Sequence, residues 1–134
     1  MITTEDWIME GRTHDALAAC LSVIVDTCHG AAFQAGWWND LKTGEYLGAA
    51  APGEPSKRNV GELLCLVHSE ISEAMEGHRT SAMDKHLPHR ASIEVELADA
   101  LIRICDISAG LRLDLPGAVA EKLAFNAQRA DHKR

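Results

Sequence analysis

Four segments of the chain repeat their apolar residues with the period of an α-helix, and no segment sustains the alternation of a half-buried strand. The helical segments are residues 13–38, 59–77, 92–109 and 116–130. Thr13 and Asn59 are candidate N-caps, and either Asp114 or Leu115 is the candidate ahead of a first-turn proline. Gly77 and Gly110 suit helix ends. The pattern predicts an all-α fold, built as a four-helix bundle.

The length of the chain suits one domain. It has 134 residues, 46% of them hydrophobic, which is enough for a core of its own. Residues 1–12 precede the first helical segment and are interpreted as an N-terminal extension. Residues 39–58 hold three glycines and two prolines and are interpreted as a loop or lid. We therefore expect a single helical domain over residues 1–134.

The formal net charge of -7 restricts the possible partners. Nucleic acid and anionic membranes attract clustered positive charge, so neither is expected to bind. The longest apolar run, 16–25, is shorter than the ~20 residues of a membrane span, and the N-terminus lacks a signal-peptide pattern. The four cysteines form no CxxC pair and are expected to be free, buried thiols. These features predict a cytoplasmic protein.

The third helical segment is apolar on almost its whole circumference. At about 100° per residue, its main polar stripe is about 80° wide and consists of Glu96, Asp99, Arg103 and Asp106. Such a helix is expected to be buried on more than one side. Because a carboxylate on a largely buried helix is costly unless it is paired or binds metal, the stripe predicts a partner.

The second helical segment offers that partner. Glu70 and Glu73 lie in its apolar sector, and the positions four residues later are Ala74 and Gly77 rather than bases. Antiparallel packing would bring this ExxE pair and the ExxD pair of the third segment around one cavity. Four carboxylates without His or Cys favour Mg²⁺ or Mn²⁺. The alternative is that both pairs are surface decoration on an acidic helix.

Three stretches of the sequence form a recognisable pattern: ELLCLVHSEISEAMEG (62–77), EVELADALIRI (94–104) and KLAFNAQRADH (122–132). Together they resemble the MazG-like, all-α nucleoside triphosphate pyrophosphohydrolases. The first two are similar to the family signature EExxE followed by ExxD, and the third is similar to its K-x-x-x-N-x-x-R ending. Ser69 stands where many members carry the first Glu of EExxE.

The resemblance implies a reaction and a set of ligands. Water would attack the α-phosphorus of a (deoxy)nucleoside triphosphate, giving the monophosphate and pyrophosphate. The Mg²⁺ ligands would be Glu70, Glu73, Glu96 and Asp99. Either Glu70 or Glu73 could serve as the general base. The resemblance also implies a tight homodimer or homotetramer, which would cover the excess apolar surface of the third helix.

Two further groups of residues are candidate substrate contacts. Lys122, Asn126 and Arg129 share one stripe of the fourth helix and suit a polyphosphate; the alternative is a solvated helix end. At the end of the first helix, an indole could stack on the base while an amide reads its edge. The residues of that second group are Gln34, Trp37 and Trp38, with Asn39 as the alternative amide. Alternatively, the two tryptophans fill the core or an interface.

Three classes of function remain open on the sequence alone. The leading hypothesis is a Mg²⁺-dependent nucleotide pyrophosphohydrolase, an acid-anhydride hydrolase acting on the nucleotide pool. The second is a catalytically weak nucleotide-binding or regulatory module, which Ser69 favours. The third is a helical scaffold without a ligand.

Overall fold

The computed structural model describes residues 12–129, and their side chains from residue 14 onward. This part of the chain contains four α-helices and no β-strand, which confirms the all-α prediction. The helices are α1 (Arg12–Gln34), α2 (Val60–Thr80), α3 (Ser92–Gly110) and α4 (Leu115–Gln128). The predicted N-terminal extension, 1–12, lies outside the described residues except for the first residue of α1.

Two of the three predicted N-caps are confirmed. The side chain of Asn59 accepts a hydrogen bond from the backbone N–H of Glu62, and the side chain of Asp114 accepts one from Gly117. The prediction for Thr13 is wrong, because α1 already begins one residue earlier. α1 also ends at residue 34 rather than 38, since Gly36 adopts a φ of 86° that leaves the helical path.

Gly77 was predicted to end the second helix, but α2 continues three residues further. The helix ends instead before Ser81, which adopts the left-handed conformation with a φ of 51°. A Cβ at Gly77 would lie 2.7 Å from the Oγ of Ser92. The missing side chain therefore allows close approach of α3 and does not serve as a helix stop.

The described chain divides into two compact units. One contains α1 up to Ile24 together with the chain from Asp114 onward, and within it His14 Nδ1 lies 3.2 Å from the carbonyl oxygen of Ala120. The other is Val25–Leu113, which holds the rest of α1, the segment 35–59, α2 and α3. The expectation of one domain over residues 1–134 stays a prediction.

In the larger unit α2 packs against α3. Gly77 meets Ser92, whereas Glu70, earlier in α2, meets Arg103, later in α3. The two helices are therefore antiparallel, as predicted. This arrangement turns the polar stripe of α3 toward the ExxE segment of α2.

The core of the larger unit forms around the buried side chains of Trp38, Leu63 and Ile107. A Cβ at Gly110 would lie only 2.1 Å from the Trp38 ring, so the last turn of α3 needs glycine to accommodate the indole. Residues 39–58 contain no helix and only one isolated bridge, Asn39 to Tyr46. The predicted loop over this segment is thus confirmed.

Much apolar surface is exposed in a single chain. On α3, Leu97 and Leu101 are each 49% exposed, so burial on more than one side is not achieved within one chain. Within His14–Gln34 of α1, an 18-residue window with a mean hydropathy of 1.6 is long and apolar enough by length and composition alone to cross a membrane, yet only 6% of that window is buried. All four cysteines are free, but Cys20 and Cys65 are exposed, contrary to the prediction of buried thiols.

Candidate metal centre and its adjoining cavity

Three carboxylates meet where α2 packs on α3. One oxygen each from Glu70, Glu96 and Asp99 lies within 4.8 Å of the other two. Glu70 is buried, and the other two are half-buried. On α3 the spacing of three residues puts both carboxylates on one face, so a single helix contributes two of the three groups. We call this group the acidic trio.

The acidic trio carries more negative charge than it can hold without a counter-charge. Burial, helped by the charge of Glu73 and hydrogen bonding to Glu70, raises the pKa of Glu96 to about 7. Burial and the charge of Glu70 also raise the pKa of Asp99, while Arg103 opposes that rise. A cation at this position would relieve the repulsion that otherwise has to be relieved by a proton.

Arg103 supplies part of the missing charge. Its Nε donates a hydrogen bond of 2.5 Å to Oε1 of Glu70, whose side chain is only 8% exposed. In the sequence, Arg103 belongs to the polar stripe of α3, but no role was predicted for it. Its position four residues after Asp99, on the same face, is the signal that could have identified it as a counter-ion of the trio.

Glu73, the fourth predicted ligand, is not one of the three carboxylates whose oxygens all lie within 4.8 Å of one another, but it neighbours the trio: its charge and a side-chain hydrogen bond help to raise the pKa of Glu96. Glu73 is exposed, and it lines the same cavity of about 590 Å³ as Glu70, Glu96 and Asp99. The segment between α2 and α3 contributes Asp84, Lys85 and His86 to this cavity. Lys85 is a cation at this cavity that was not among the predicted site residues.

A second cavity, of about 440 Å³, adjoins the trio because Asp99 lines both. Its remaining lining is mostly apolar, with Trp37 and Trp38 on one part of the wall. Gln34, predicted to read the base, does not line it. The polar residues that do are Arg58, Asp99, Arg103 and Asp106, of which only Asp99 was a predicted site residue.

The two tryptophans occupy different environments. Trp38 is 1% exposed, and its Nε1 donates a hydrogen bond of 2.7 Å to Oδ1 of Asp106. Trp37 is 66% exposed, and its carbonyl oxygen accepts a hydrogen bond from Arg58. The Arg58 guanidinium also lies 5.6 Å from the centre of the Trp38 ring. Trp38 therefore belongs to the core of this unit, while the Trp37 indole is open to a ligand.

The predicted phosphate contacts lie in the other unit. Lys122 Nζ is 4.7 Å from the centre of the Phe125 ring, and the Arg129 guanidinium is 5.9 Å from it. Arg129 caps α4 in an extended conformation, so the prediction that it continues the helical stripe is wrong. The Oδ1 atom of Asn126 is buried and has no hydrogen-bond partner in the described part of the chain.

No known protein family, curated protein or solved structure matches this chain. Its function therefore has to be inferred from the side chains themselves. A group of one buried and two half-buried carboxylates beside a partly apolar cavity can bind a hard cation at one end of a ligand and a flat apolar group at the other.

Proposed function

We propose that the protein is a Mg²⁺-dependent nucleoside triphosphate pyrophosphohydrolase that converts a (deoxy)nucleoside triphosphate to the monophosphate and pyrophosphate. The observation that carries the proposal is the acidic trio, in which Glu70, Glu96 and Asp99 bring their oxygens within 4.8 Å of one another beside two cavities. The resemblance of residues 62–77 and 94–104 to the MazG-like signature supports the choice of reaction.

The donor set fits Mg²⁺ or Mn²⁺ because all three groups of the acidic trio are carboxylates. The pKa of Glu96, raised to about 7, indicates a group that gains from a nearby cation. Divalent cations bound here would polarise the phosphoryl oxygens and lower the pKa of water. Arg103, which donates a hydrogen bond to Glu70, neutralises part of the same charge.

The chain's own residues would divide the work as follows. The trio holds the cations, while Glu73, exposed at the same cavity, takes the proton from the attacking water. Glu73 suits this role better than Glu70, whose Oε1 already accepts a hydrogen bond from Arg103. The family resemblance assigns contacts with the polyphosphate to three residues of the fourth helix and its cap: Lys122, Asn126 and Arg129. The open indole of Trp37 stacks on the base.

We also propose that the protein acts in the cytoplasm as a homodimer or homotetramer. The apolar residues of α3 that a single chain exposes, Leu97 and Leu101 among them, are expected to pack against a second copy. We also assign the apolar stretch His14–Gln34 to contact with protein rather than with lipid, because this stretch contains two charged residues, Asp15 and Asp26. Light scattering at micromolar concentration tests the proposed oligomer, and a monomeric mass would contradict it.

Pyrophosphate release from a panel of dNTPs with Mg²⁺ tests the enzyme directly. The wild-type protein should release pyrophosphate, and Asp99→Asn should not. Glu94→Gln is the matched control, because Glu94 lies on the same helix with an exposed side chain paired to Arg90 at 3.6 Å. Wild-type protein that releases no pyrophosphate from any nucleotide would refute the proposed reaction.

A nucleotide-binding module without catalysis is the second candidate. Ser69, at the position of the first signature glutamate, is exposed and donates its hydroxyl to the carbonyl oxygen of Leu66 at 2.7 Å. A hydroxyl paired with its own helix adds no ligand to the trio. Mg²⁺ with a non-hydrolysable dNTP analogue would raise the melting temperature of both an enzyme and a binding module, but not of a scaffold. Pyrophosphate release then separates the first two.

A further inference from the structure

Asp106 is a carboxylate on α3 whose two partners hold it in place. Trp38 Nε1 donates to Oδ1 at 2.7 Å, and His29 Nδ1 lies 2.8 Å from the same oxygen. A carboxylate only accepts hydrogen bonds, so His29 must carry its proton on Nδ1. Both hydrogen bonds from the described residues go to Oδ1, which leaves Oδ2 as the oxygen available to a ligand.

The surroundings of Asp106 keep it rigid. The His29 ring meets the Trp38 ring edge to face, with 5.4 Å between their centres, and the Trp38 indole is wedged over Gly110. The side chain of Asp106 is 19% exposed, so it is largely removed from water without being sealed off. A fixed acceptor in such a place discriminates between ligands, because its geometry cannot adjust to a poor partner.

Asp106 lines the 440 Å³ cavity that also contains Trp37 and Asp99. Asp99 belongs to the acidic trio, so this cavity adjoins the proposed polyphosphate end of the site. Asp106 is two helical turns further along the same face of α3, which places it toward the nucleoside end. A base that stacks on Trp37 would present its polar edge to this wall of the cavity.

We propose that Asp106 selects nucleotides whose base carries an amino group at position 4 of a pyrimidine or position 6 of a purine, as in cytosine and adenine. This inference rests on the proposed function. An amino group donates to the free oxygen of Asp106, whereas the carbonyl of uracil, thymine or hypoxanthine turns its lone pairs toward a negative charge. A base with a carbonyl at this position would leave the charged Oδ2 of Asp106 without a donor. This should lower kcat/KM by about 10- to 100-fold.

Two matched substrate pairs test the inference: dCTP against dUTP, and dATP against dITP. Within each pair a carbonyl replaces the amino group, and the adjacent ring nitrogen changes from an acceptor to an N–H donor. The wild-type protein should prefer the amino member of both pairs by about 10- to 100-fold. Equal kcat/KM within both pairs for the wild-type protein would overturn the inference without any variant.

Asp106→Asn assigns the discrimination to this residue. Asparagine keeps an oxygen that can accept from Trp38 and His29, and replaces the second oxygen with a donating NH₂ group. The dCTP-to-dUTP ratio should fall to about 1 or below. Glu94→Gln should leave the ratio unchanged. A variant with a wild-type melting temperature and a wild-type ratio would overturn the assignment.

Binding separates this inference from the proposed reaction. If no nucleotide is hydrolysed, calorimetry with the α,β-imido analogues of dCTP and dUTP in Mg²⁺ reports the preference alone. Tighter binding of the dCTP analogue, lost in Asp106→Asn, would support the role of Asp106 and refute only the enzyme. Equal binding of both analogues, or binding of neither, would overturn the inference.

Discussion

Asp99 and Asp106 lie on the same face of α3, two turns apart, and differ only in the groups that surround them. Asp99 faces Glu70 and Glu96, and its pKa is raised by burial and by the neighbouring negative charge. Asp106 faces two donors, Trp38 Nε1 and the ring of His29. The first carboxylate needs a cation or a proton, whereas the second already has two protein partners on one oxygen, Oδ1, and keeps Oδ2 for a ligand.

One face of α3 thus carries two carboxylates with different functions. A carboxylate among carboxylates forms a site that binds charge, while a carboxylate among fixed donors becomes a rigid acceptor. Arg103, between them on the same face, pairs with Glu70 of the first group. Perturbing each group separately should therefore change different properties of the protein.

The largest effect is expected from Asp99→Asn. Loss of a ligand should lower Mg²⁺-dependent turnover by at least about 100-fold, since even groups that only support a ligand are worth 10- to 100-fold. Its metal-free melting temperature should stay level or rise, because one of three crowded negative charges is removed. Turnover within threefold of wild type, measured beside Glu94→Gln, would remove Asp99 from the site.

Arg103→Met should destabilise the metal-free protein. Because the nearly buried Glu70 loses its cation, the free energy of unfolding should fall by about 1–3 kcal/mol. This is less than the cost of breaking a fully buried ion pair, since the Arg103 side chain is 42% exposed. Urea denaturation measures this loss, and saturating Mg²⁺ should restore part of it. Adding Glu70→Gln should also restore stability by removing the unpaired charge. A double variant no more stable than Arg103→Met would argue against this explanation.

Trp38→Phe should cost about 1–2 kcal/mol, because Asp106 loses a donor and the aromatic packing becomes smaller. Trp37→Phe is the matched control at the adjacent position. Its side chain is 66% exposed, so the change in unfolding free energy should stay within about 0.5 kcal/mol. Equal losses in the two variants would contradict the distinction between a core indole and an open one.

The smallest effect is the pH dependence of the metal-free protein. The pKa of Glu96 is raised from 4.5 to about 7, so between these values the folded state binds more protons than the unfolded state. The free energy of unfolding should therefore fall as pH rises from 5 to 8, by about 1 kcal/mol after allowance for partial exposure. Glu96→Gln should flatten the slope. An unchanged slope in that variant would show that the pH dependence comes from another group.

The sequence predicted the elements whose causes are local. Asn59 and Asp114 cap their helices through residues three positions away, and Glu96 and Asp99 share a face because of helical spacing alone. The gathering of carboxylates from α2 and α3 followed from one further assumption, antiparallel packing. Glu73 was included by the same spacing, but the structure leaves it outside the acidic trio.

Features set by contacts distant in sequence were not predictable. Asp106 pairs with Trp38 across 68 positions, and Arg103 pairs with Glu70 across 33. No helical wheel shows which of two adjacent tryptophans turns inward. Gly77 illustrates the same difficulty, since a glycine near a helix end suits a stop as well as a close helix contact, and only Ser92 on the neighbouring helix decides between them.

Titration with Mn²⁺, followed by electron paramagnetic resonance, measures directly whether the acidic trio binds a divalent cation. The wild-type protein should bind Mn²⁺ at a saturable site that Mg²⁺ displaces, and Glu94→Gln should bind it equally well. The triple variant Glu70→Gln, Glu96→Gln, Asp99→Asn should lose that site while it keeps its helical content. Mn²⁺ binding that is the same in the triple variant and in the wild-type protein would contradict a metal centre built on the acidic trio.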